Sequence, residues 1–161
     1  MRFAENAVEE FCQLTIAMLL LYFGAIMIQV YTKKKLGSEC EKKGKKFTRY
    51  TDPPEEMIRA DRCVANLLEW LPFFFGLLMT NTLFVITPSL QSPSPIPPLP
   101  FVVKVLAWSY VALRLGYVIS VSSGNFRQNG IQKGLVMFTM PAYLCLLGLL
   151  LLSIGNCLFL F

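Results

Sequence analysis

Four polar residues follow one another at helical spacing where the second hydrophobic stretch of the chain begins: Arg59, Arg62, Asn66 and Glu69. Their intervals of three, four and three residues place them within an arc of about 80° on one helix face. Guanidinium groups bind carboxylates in a forked geometry, and a carboxylate binds an ammonium group. This polar face is therefore suited to a zwitterionic, peptide-like ligand that carries both kinds of group.

A purely structural role for the same residues is the alternative. An ionisable side chain inside a membrane helix costs at least about 2.5 kcal/mol, so it usually has either a partner or a function. Glu69 could pair with Arg62, or with Arg114 of the third hydrophobic stretch, and so tie two helices together. Two arginines, an amide and a carboxylate exceed what one structural pair needs, which favours a ligand. Asp61 points away from this face.

A second row of side chains lies in the third hydrophobic stretch. Tyr110, Arg114, Tyr117 and Val121 follow at intervals of four, three and four residues, and so share one helix face. The arginine is as costly to bury here as in the second stretch. Arg114 and Tyr117 therefore join the candidate site residues.

These residues belong to a membrane protein. The chain has 161 residues, of which 55% are hydrophobic and 16% charged, and its mean hydropathy is +0.53. This composition excludes intrinsic disorder, a disulfide-dense secreted scaffold and an ordinary soluble enzyme. Four stretches are long enough to cross about 30 Å of hydrocarbon: about residues 11–32, 67–87, 101–123 and 134–161. We predict one all-α domain, 1–161, a bundle of four transmembrane helices, whose second helix starts outside the membrane near residue 54.

The distribution of basic residues predicts the orientation. The segment 33–62 holds ten of the fifteen lysines and arginines, and the loop 88–100 holds no charge. The positive-inside rule then places loops one and three in the cytosol and both termini on the lumenal side of an internal membrane, for which we expect the endoplasmic reticulum. The lysines flank the end of a span, so the net charge of +5 indicates contact with lipid headgroups and not with nucleic acid.

The sequence offers no metal site. Histidine is absent, which excludes an imidazole base and histidine ligands to a metal. The five cysteines form no CxxC pair, and most lie in or beside apolar stretches, where they are expected to serve packing. No metal cofactor is therefore expected.

Residues 88–100, PSLQSPSPIPPLP, hold six of the ten prolines. Such a segment favours polyproline II, and we predict that it is not helical. Its spacing matches PxxP ligands, but it lies on the lumenal side of the predicted topology. It is therefore interpreted as a stiff connector.

The polar face of the second stretch resembles a family motif. The string Arg59-x-x-Arg62-x-x-x-Asn66-x-x-Glu69-x-x-Pro72 is similar to the signature of the MAPEG family, the membrane-associated proteins of eicosanoid and glutathione metabolism. The length, the four spans, the basic first loop and the Arg114-x-x-Tyr117 pair agree with this family, and within it the chain looks like a microsomal glutathione transferase. The resemblance covers essentially the whole chain.

The resemblance implies a homotrimer of four-helix subunits, with glutathione as co-substrate bound between neighbouring subunits near the cytosolic face. The residues that match the family's glutathione-binding positions are Arg62, Asn66, Glu69 and Tyr117, and Trp70 stands where relatives often carry an aromatic residue. Arg59 and Arg114, from the two polar rows, complete the predicted binding set. Arg127, in the short loop after the third span, lies close to the arginine that stabilises the glutathione thiolate in catalytic members.

The expected chemistry is formation of a thiolate. A thiol with a pKa near 8.5 is mostly protonated at neutral pH, so catalysis needs a cation next to the sulfur. Arg127 is the candidate, with Lys133 behind it, and an arginine acts here by electrostatic stabilisation and not as a base. The thiolate would attack a lipophilic electrophile dissolved among the membrane lipids, or reduce a lipid hydroperoxide.

Two departures keep a second hypothesis open. Val121 stands where many family members carry a tyrosine, and the alignment of loop 122–133 can shift by a residue. The alternative is a non-catalytic MAPEG-like protein that binds a lipid or a partner protein. A tetraspanin-like scaffold is disfavoured, because the predicted extracytosolic loops are short and nearly free of cysteine.

Overall fold

Four helices make up the fold. The computed structural model describes residues 6–90, 95–123 and 133–159, with side chains from 136 to 158 in the last range. The helices are α1 (Ala7–Lys42), α2 (Glu55–Leu90), α3 (Phe101–Ser122) and α4 (Lys133–Phe159), and these ranges contain no strand. Each helix carries a segment long and apolar enough to cross a membrane. The prediction of an all-α protein with four spanning helices is confirmed.

The first two helices extend well beyond their apolar spans. Each has 36 residues, or about 54 Å at 1.5 Å per residue, against about 30 Å of hydrocarbon. Helix α1 continues for ten residues past Thr32, because lysine, glutamate and leucine are good helix formers in water as well. Helix α2 begins at Glu55, and the Pro54 carbonyl accepts the N–H groups of Met57 and Ile58 at 2.8 and 3.1 Å.

The C-terminal end of α2 corrects the prediction for the proline-rich segment. Pro88 lies inside the helix, which ends only at Leu90, so the expectation that residues 88–100 are non-helical is wrong for 88–90. A proline removes one backbone hydrogen bond and crowds the carbonyl four residues earlier. In the last turn few later residues depend on that bond, and the helix tolerates it. Residues 95–100 are not helical, as expected.

The helices pack chiefly as α1 against α2 and α3 against α4. Two glycines allow the close approach of α3 and α4: a Cβ at Gly116 would lie 2.5 Å from the ring of Phe138, and one at Gly148 would lie 2.9 Å from Leu106. Small residues at such contacts are how membrane helices approach closely. The buried side chains at the centre include Met18, Leu67, Phe74, Leu78, Tyr110 and Leu149.

Loop one, which joins α1 to α2, contacts both of these helices. Asp61 of α2 accepts a hydrogen bond from Gln29 of α1 at 2.7 Å and pairs with Arg49 of the loop, also at 2.7 Å. This bond raises the pKa of the Arg49 guanidinium above its ordinary value. Lys35 pairs with Glu56 at 3.2 Å nearer the ends of the two helices. Asp61, which points away from the polar face, thus serves to hold the loop.

At the opposite end, a buried carboxylate joins α1 to α3. Glu10 is 7% exposed, pairs with Lys104 at 2.8 Å and accepts the backbone N–H of Leu99 at 2.7 Å. The Pro97 carbonyl accepts the N–H of Ala7 at 3.0 Å. A carboxylate buried with a cation and a backbone donor keeps its charge satisfied. This contact fixes the connector before α3 against the start of α1.

Candidate functional site

Some side chains on the polar face of α2 have a partner within the described part of the subunit, and others do not. Arg59 pairs with Glu55, one turn earlier, at 3.4 Å. Arg62 and Glu69 are exposed on the subunit, and neither forms an ion pair or a hydrogen bond with any residue in 6–90, 95–123 or 136–158. The helix-tying pairs considered for Glu69, with Arg62 or with Arg114, are therefore not formed within the described part of the subunit.

Arg114 binds Asn66 instead of Glu69. Its Nη1 donates to the Asn66 side-chain oxygen Oδ1 at 2.8 Å, which joins α3 to α2. Because a guanidinium has only donors, the amide must turn its oxygen toward Arg114. The Nδ2 group of Asn66 is then left to donate elsewhere. Asn66 is half-buried, so this donor lies at the border between the bundle and the exposed polar face.

The Arg114 guanidinium is enclosed by aromatic rings. Arg114 is fully buried, and its Cζ lies 5.1 Å from the ring centre of Tyr110 and 5.4 Å from that of Tyr143. Its Nε and Nη2 have no acceptor in hydrogen-bonding geometry among the described residues. The ring faces attract the cation at these distances. Phe74 stacks on Tyr110 with 4.7 Å between the ring centres and so helps to hold that ring in place.

This burial bears on the role predicted for Arg114. A side chain with no exposed surface reaches a ligand at the surface of the subunit only through Asn66. Arg114 therefore acts as a positioning residue for the Asn66 amide. Tyr143 was not predicted as a site residue, because the sequence of α4 is predominantly apolar. The one available signal was the single tyrosine of this helix.

The row on α3 faces the interior as a unit. Tyr110, Arg114, Tyr117 and Val121 are all buried, at 0, 0, 4 and 5% exposure. Val121 offers no hydroxyl, and it lines a cavity on the side of α2 that faces α1. The structure thus places Tyr117 one turn from Arg114, and the Val121 position contributes only apolar surface.

An apolar groove adjoins the polar face. Trp70 follows Glu69 in the chain and lies against Tyr143 of α4, with 4.4 Å between the ring centres. These two rings line a groove of about 520 Å³ between α2 and α4. Its other lining residues, all apolar, are Phe73, Leu77, Met140, Leu144, Leu146, Leu147 and Leu150. The surface next to Glu69 can therefore accept a lipophilic group.

The candidate catalytic loop is outside the described residues. This holds for Arg127 and for the side chain of Lys133, although Lys133 is the first residue of α4. Their predicted role stays a prediction. The described part of the site thus consists of the polar face of α2, the buried Arg114 behind it and the apolar groove beside it.

The site places two exposed ionic groups and an oriented amide donor on one face of a membrane helix, next to an apolar groove. This arrangement has the chemistry needed to hold a small zwitterion beside a lipophilic molecule. No curated protein matches the sequence. The model of the MAPEG family matches residues 11–155, nearly the whole chain. The chain is therefore a member of the MAPEG family, the membrane proteins of glutathione and eicosanoid metabolism.

Proposed function

We propose that this protein is a glutathione transferase or peroxidase embedded in the membrane. It would bind glutathione on the polar face of α2 and present its thiolate to a lipophilic electrophile or a lipid hydroperoxide. The observation that carries this proposal is the hydrogen bond between Arg114 and Asn66. It leaves Asn66 as a hydrogen-bond donor on the face that also carries Arg62 and Glu69.

Glutathione fits the groups on this face. The peptide carries two carboxylates and one ammonium group. The carboxylates need cations or N–H donors, and the ammonium group needs an acceptor. Arg62 and the Nδ2 group of Asn66 supply donors, and the Glu69 carboxylate supplies the acceptor. Arg59, which belongs to the same face, Trp70, which follows Glu69 in the chain, and Tyr117 of α3 complete the proposed binding set.

The catalytic step proposed for the thiol relies on Arg127. A fixed guanidinium next to the sulfur stabilises the thiolate without accepting a proton. The proton leaves to solvent, and the sulfur then forms a bond to the electrophilic carbon while the leaving group departs with its electron pair. With a lipid hydroperoxide the sulfur attacks the terminal oxygen, the O–O bond breaks and the alcohol is released; the oxidised sulfenic acid reacts with a second glutathione to give the disulfide and water. The apolar groove between Trp70 and Tyr143 lies beside the polar face, and it gives a lipophilic co-substrate a route from the bilayer.

The protein is proposed to be a homotrimer, and the exposure of Glu69 supports a neighbouring subunit at this face. This carboxylate lies within the apolar part of α2 and is exposed on the single subunit, where contact with lipid chains would be unfavourable by several kcal/mol. A neighbouring subunit that covers the face removes this contact and encloses the ligand. We further propose that the protein lies in an internal membrane such as the endoplasmic reticulum. Its loops one and three would face the cytosol, and both termini the lumen.

The non-catalytic alternative is favoured by one observation. Val121 contributes apolar surface where a tyrosine would add a hydroxyl, so such a protein would bind glutathione or a lipid without activating a thiol. Conjugation of glutathione to a generic aryl halide by the purified protein separates the two functions. We expect the wild type to conjugate glutathione and Glu69→Gln to reduce the rate strongly. A complete lack of conjugation by the wild type would favour the alternative.

A further inference from the structure

A second cavity lies on the other side of α2, between α1, α2 and α3. It has a volume of about 240 Å³. On α2 its lining residues are Glu56, Arg59, Ala60 and Cys63, and these lie on a different part of the helix surface from Arg62, Asn66 and Glu69. The two sites have Arg59 in common, and Val121, which stands where many family members carry a tyrosine, also lines the cavity. The rest of the cavity lining is separate from the face proposed for glutathione.

The walls of this cavity change from apolar to polar in one direction on all three helices. Its inner part is lined by Ala25 and Ile28 of α1, Ala60 of α2 and Val121 of α3. Its outer part is lined by Thr32, Lys35, Glu56, Arg59, Ser122 and Ser123. The change occurs where the apolar span of α1 ends, at Thr32. The cavity thus follows the polarity of a bilayer from its acyl chains to its headgroups.

The charges at the outer end are of both signs and are weakly engaged. Lys35 and Glu56 pair at 3.2 Å, and both side chains are 45% exposed. Such an exposed pair contributes about 0–1 kcal/mol, so a ligand can separate it at little cost. Arg59 pairs with Glu55 through Nη1 only, and its remaining N–H groups have no acceptor among the described residues.

The hydroxyl groups of the cavity are acceptors. Ser122 donates its hydroxyl proton to the Val118 carbonyl at 2.7 Å, and Ser123 donates to the Ser120 carbonyl at 3.0 Å. Each oxygen then has only lone pairs to offer a ligand. Together with the Glu56 carboxylate, these oxygens suit a group that carries several N–H donors, while Lys35 and Arg59 suit an anion.

From this arrangement we propose that the cavity binds the headgroup of a phospholipid that carries a phosphate and a primary ammonium group, such as phosphatidylethanolamine. Lys35 and Arg59 bind the phosphate, and Glu56 with the serine oxygens binds the ammonium. The apolar inner wall contacts the first carbons of the acyl chains. A choline headgroup has no N–H to donate, so the site discriminates against phosphatidylcholine.

Native mass spectrometry of the full-length protein in detergent tests this assignment, with phosphatidylethanolamine and phosphatidylcholine of identical acyl chains as probes. We expect the first ethanolamine lipid to bind about fivefold more tightly than the choline lipid, the effect of about one charged contact at a membrane surface. Glu56→Gln should remove this preference, and Lys35→Gln should weaken both lipids. Lys34→Gln is the matched control, since Lys34 is an exposed neighbour that does not line the cavity.

Three results would overturn the assignment. The first is equal binding of the two lipids by the wild type, and the second is an equal effect of Lys34→Gln and Lys35→Gln, which would reduce the contact to diffuse positive charge. The third is displacement of the lipid by glutathione, which would show that glutathione occupies the cavity. A wild-type protein that prefers the ethanolamine lipid but does not bind glutathione would contradict the proposed function and leave the lipid site intact.

Discussion

The Arg114 guanidinium and the Asn66 amide are joined across two helices by a hydrogen bond of 2.8 Å, which determines the direction in which the amide faces. Arg114 is fully buried and offers only donors, so the amide oxygen is committed to it and the amide nitrogen is not. The buried Arg114 thus orients the Asn66 amide so that its neutral N–H donor lies at the subunit surface. Asn66 therefore contacts an acceptor atom of its ligand.

Asn66→Asp tests this orientation directly. Aspartate keeps an oxygen for Arg114, and the resulting ion pair preserves the link between α2 and α3, but it removes the N–H donor. Glutathione affinity should fall by roughly tenfold or more, because a hydrogen bond to a charged group contributes about 1.5–3 kcal/mol. Calorimetric titration measures the affinity, and thermal unfolding of the same sample checks the fold. Unchanged affinity in a stable variant would show that the amide nitrogen makes no contact with the ligand.

The sequence predicts the helices well and their contacts poorly. Hydropathy locates the spans, but it does not mark helix ends, which is why the extension of α1 to Lys42 was missed. Helical periodicity places Asn66 and Glu69 on one face of α2, but it contains no information on distances between helices. It therefore could not tell that Arg114 would bind Asn66, nor that Glu10 would be buried against Lys104.

Glu69→Gln separates ligand binding from assembly. The substitution keeps the shape of the side chain and removes the charge that is proposed to hold the ammonium of glutathione. We expect an affinity loss of about tenfold or more, with the oligomer unchanged in size on gel filtration or in native mass spectrometry. Dissociation of the oligomer, with full affinity in the protein that remains folded, would assign Glu69 a structural role instead.

The topology can be tested with the native cysteines. Cys40 is partly exposed on the extension of α1, whereas Cys63 is buried. In sealed vesicles, a membrane-impermeant thiol reagent should label Cys40 only from the cytosolic side. A variant with Cys12 and Cys157 replaced by serine removes the two other exposed thiols, and Cys40→Ser in that background should abolish labelling. Reaction from the lumenal side would invert the proposed orientation.

Arg127→Ala tests the catalytic assignment and not merely binding. Turnover should drop by about 10²–10³, the loss caused by removing one preorganised charge-stabilising group, while glutathione affinity stays within a few-fold. Arg127→Lys should recover part of the activity, because a point charge remains. Lys133→Ala is the control for the general positive charge of the loop. Equal and modest losses in both alanine variants would mean that the loop supplies only a diffuse field.

The proposed activity is tested most directly by the ultraviolet absorbance of the thiolate when glutathione is added to the purified wild-type protein across a pH series. We expect a thiolate signal that is already present at neutral pH and that saturates as glutathione is added. The apparent pKa should lie clearly below the value of about 8.5 for a free thiol, and Glu69→Gln should require more glutathione to reach the same signal. A thiolate signal that appears only near the pKa of free glutathione would contradict the proposed activity.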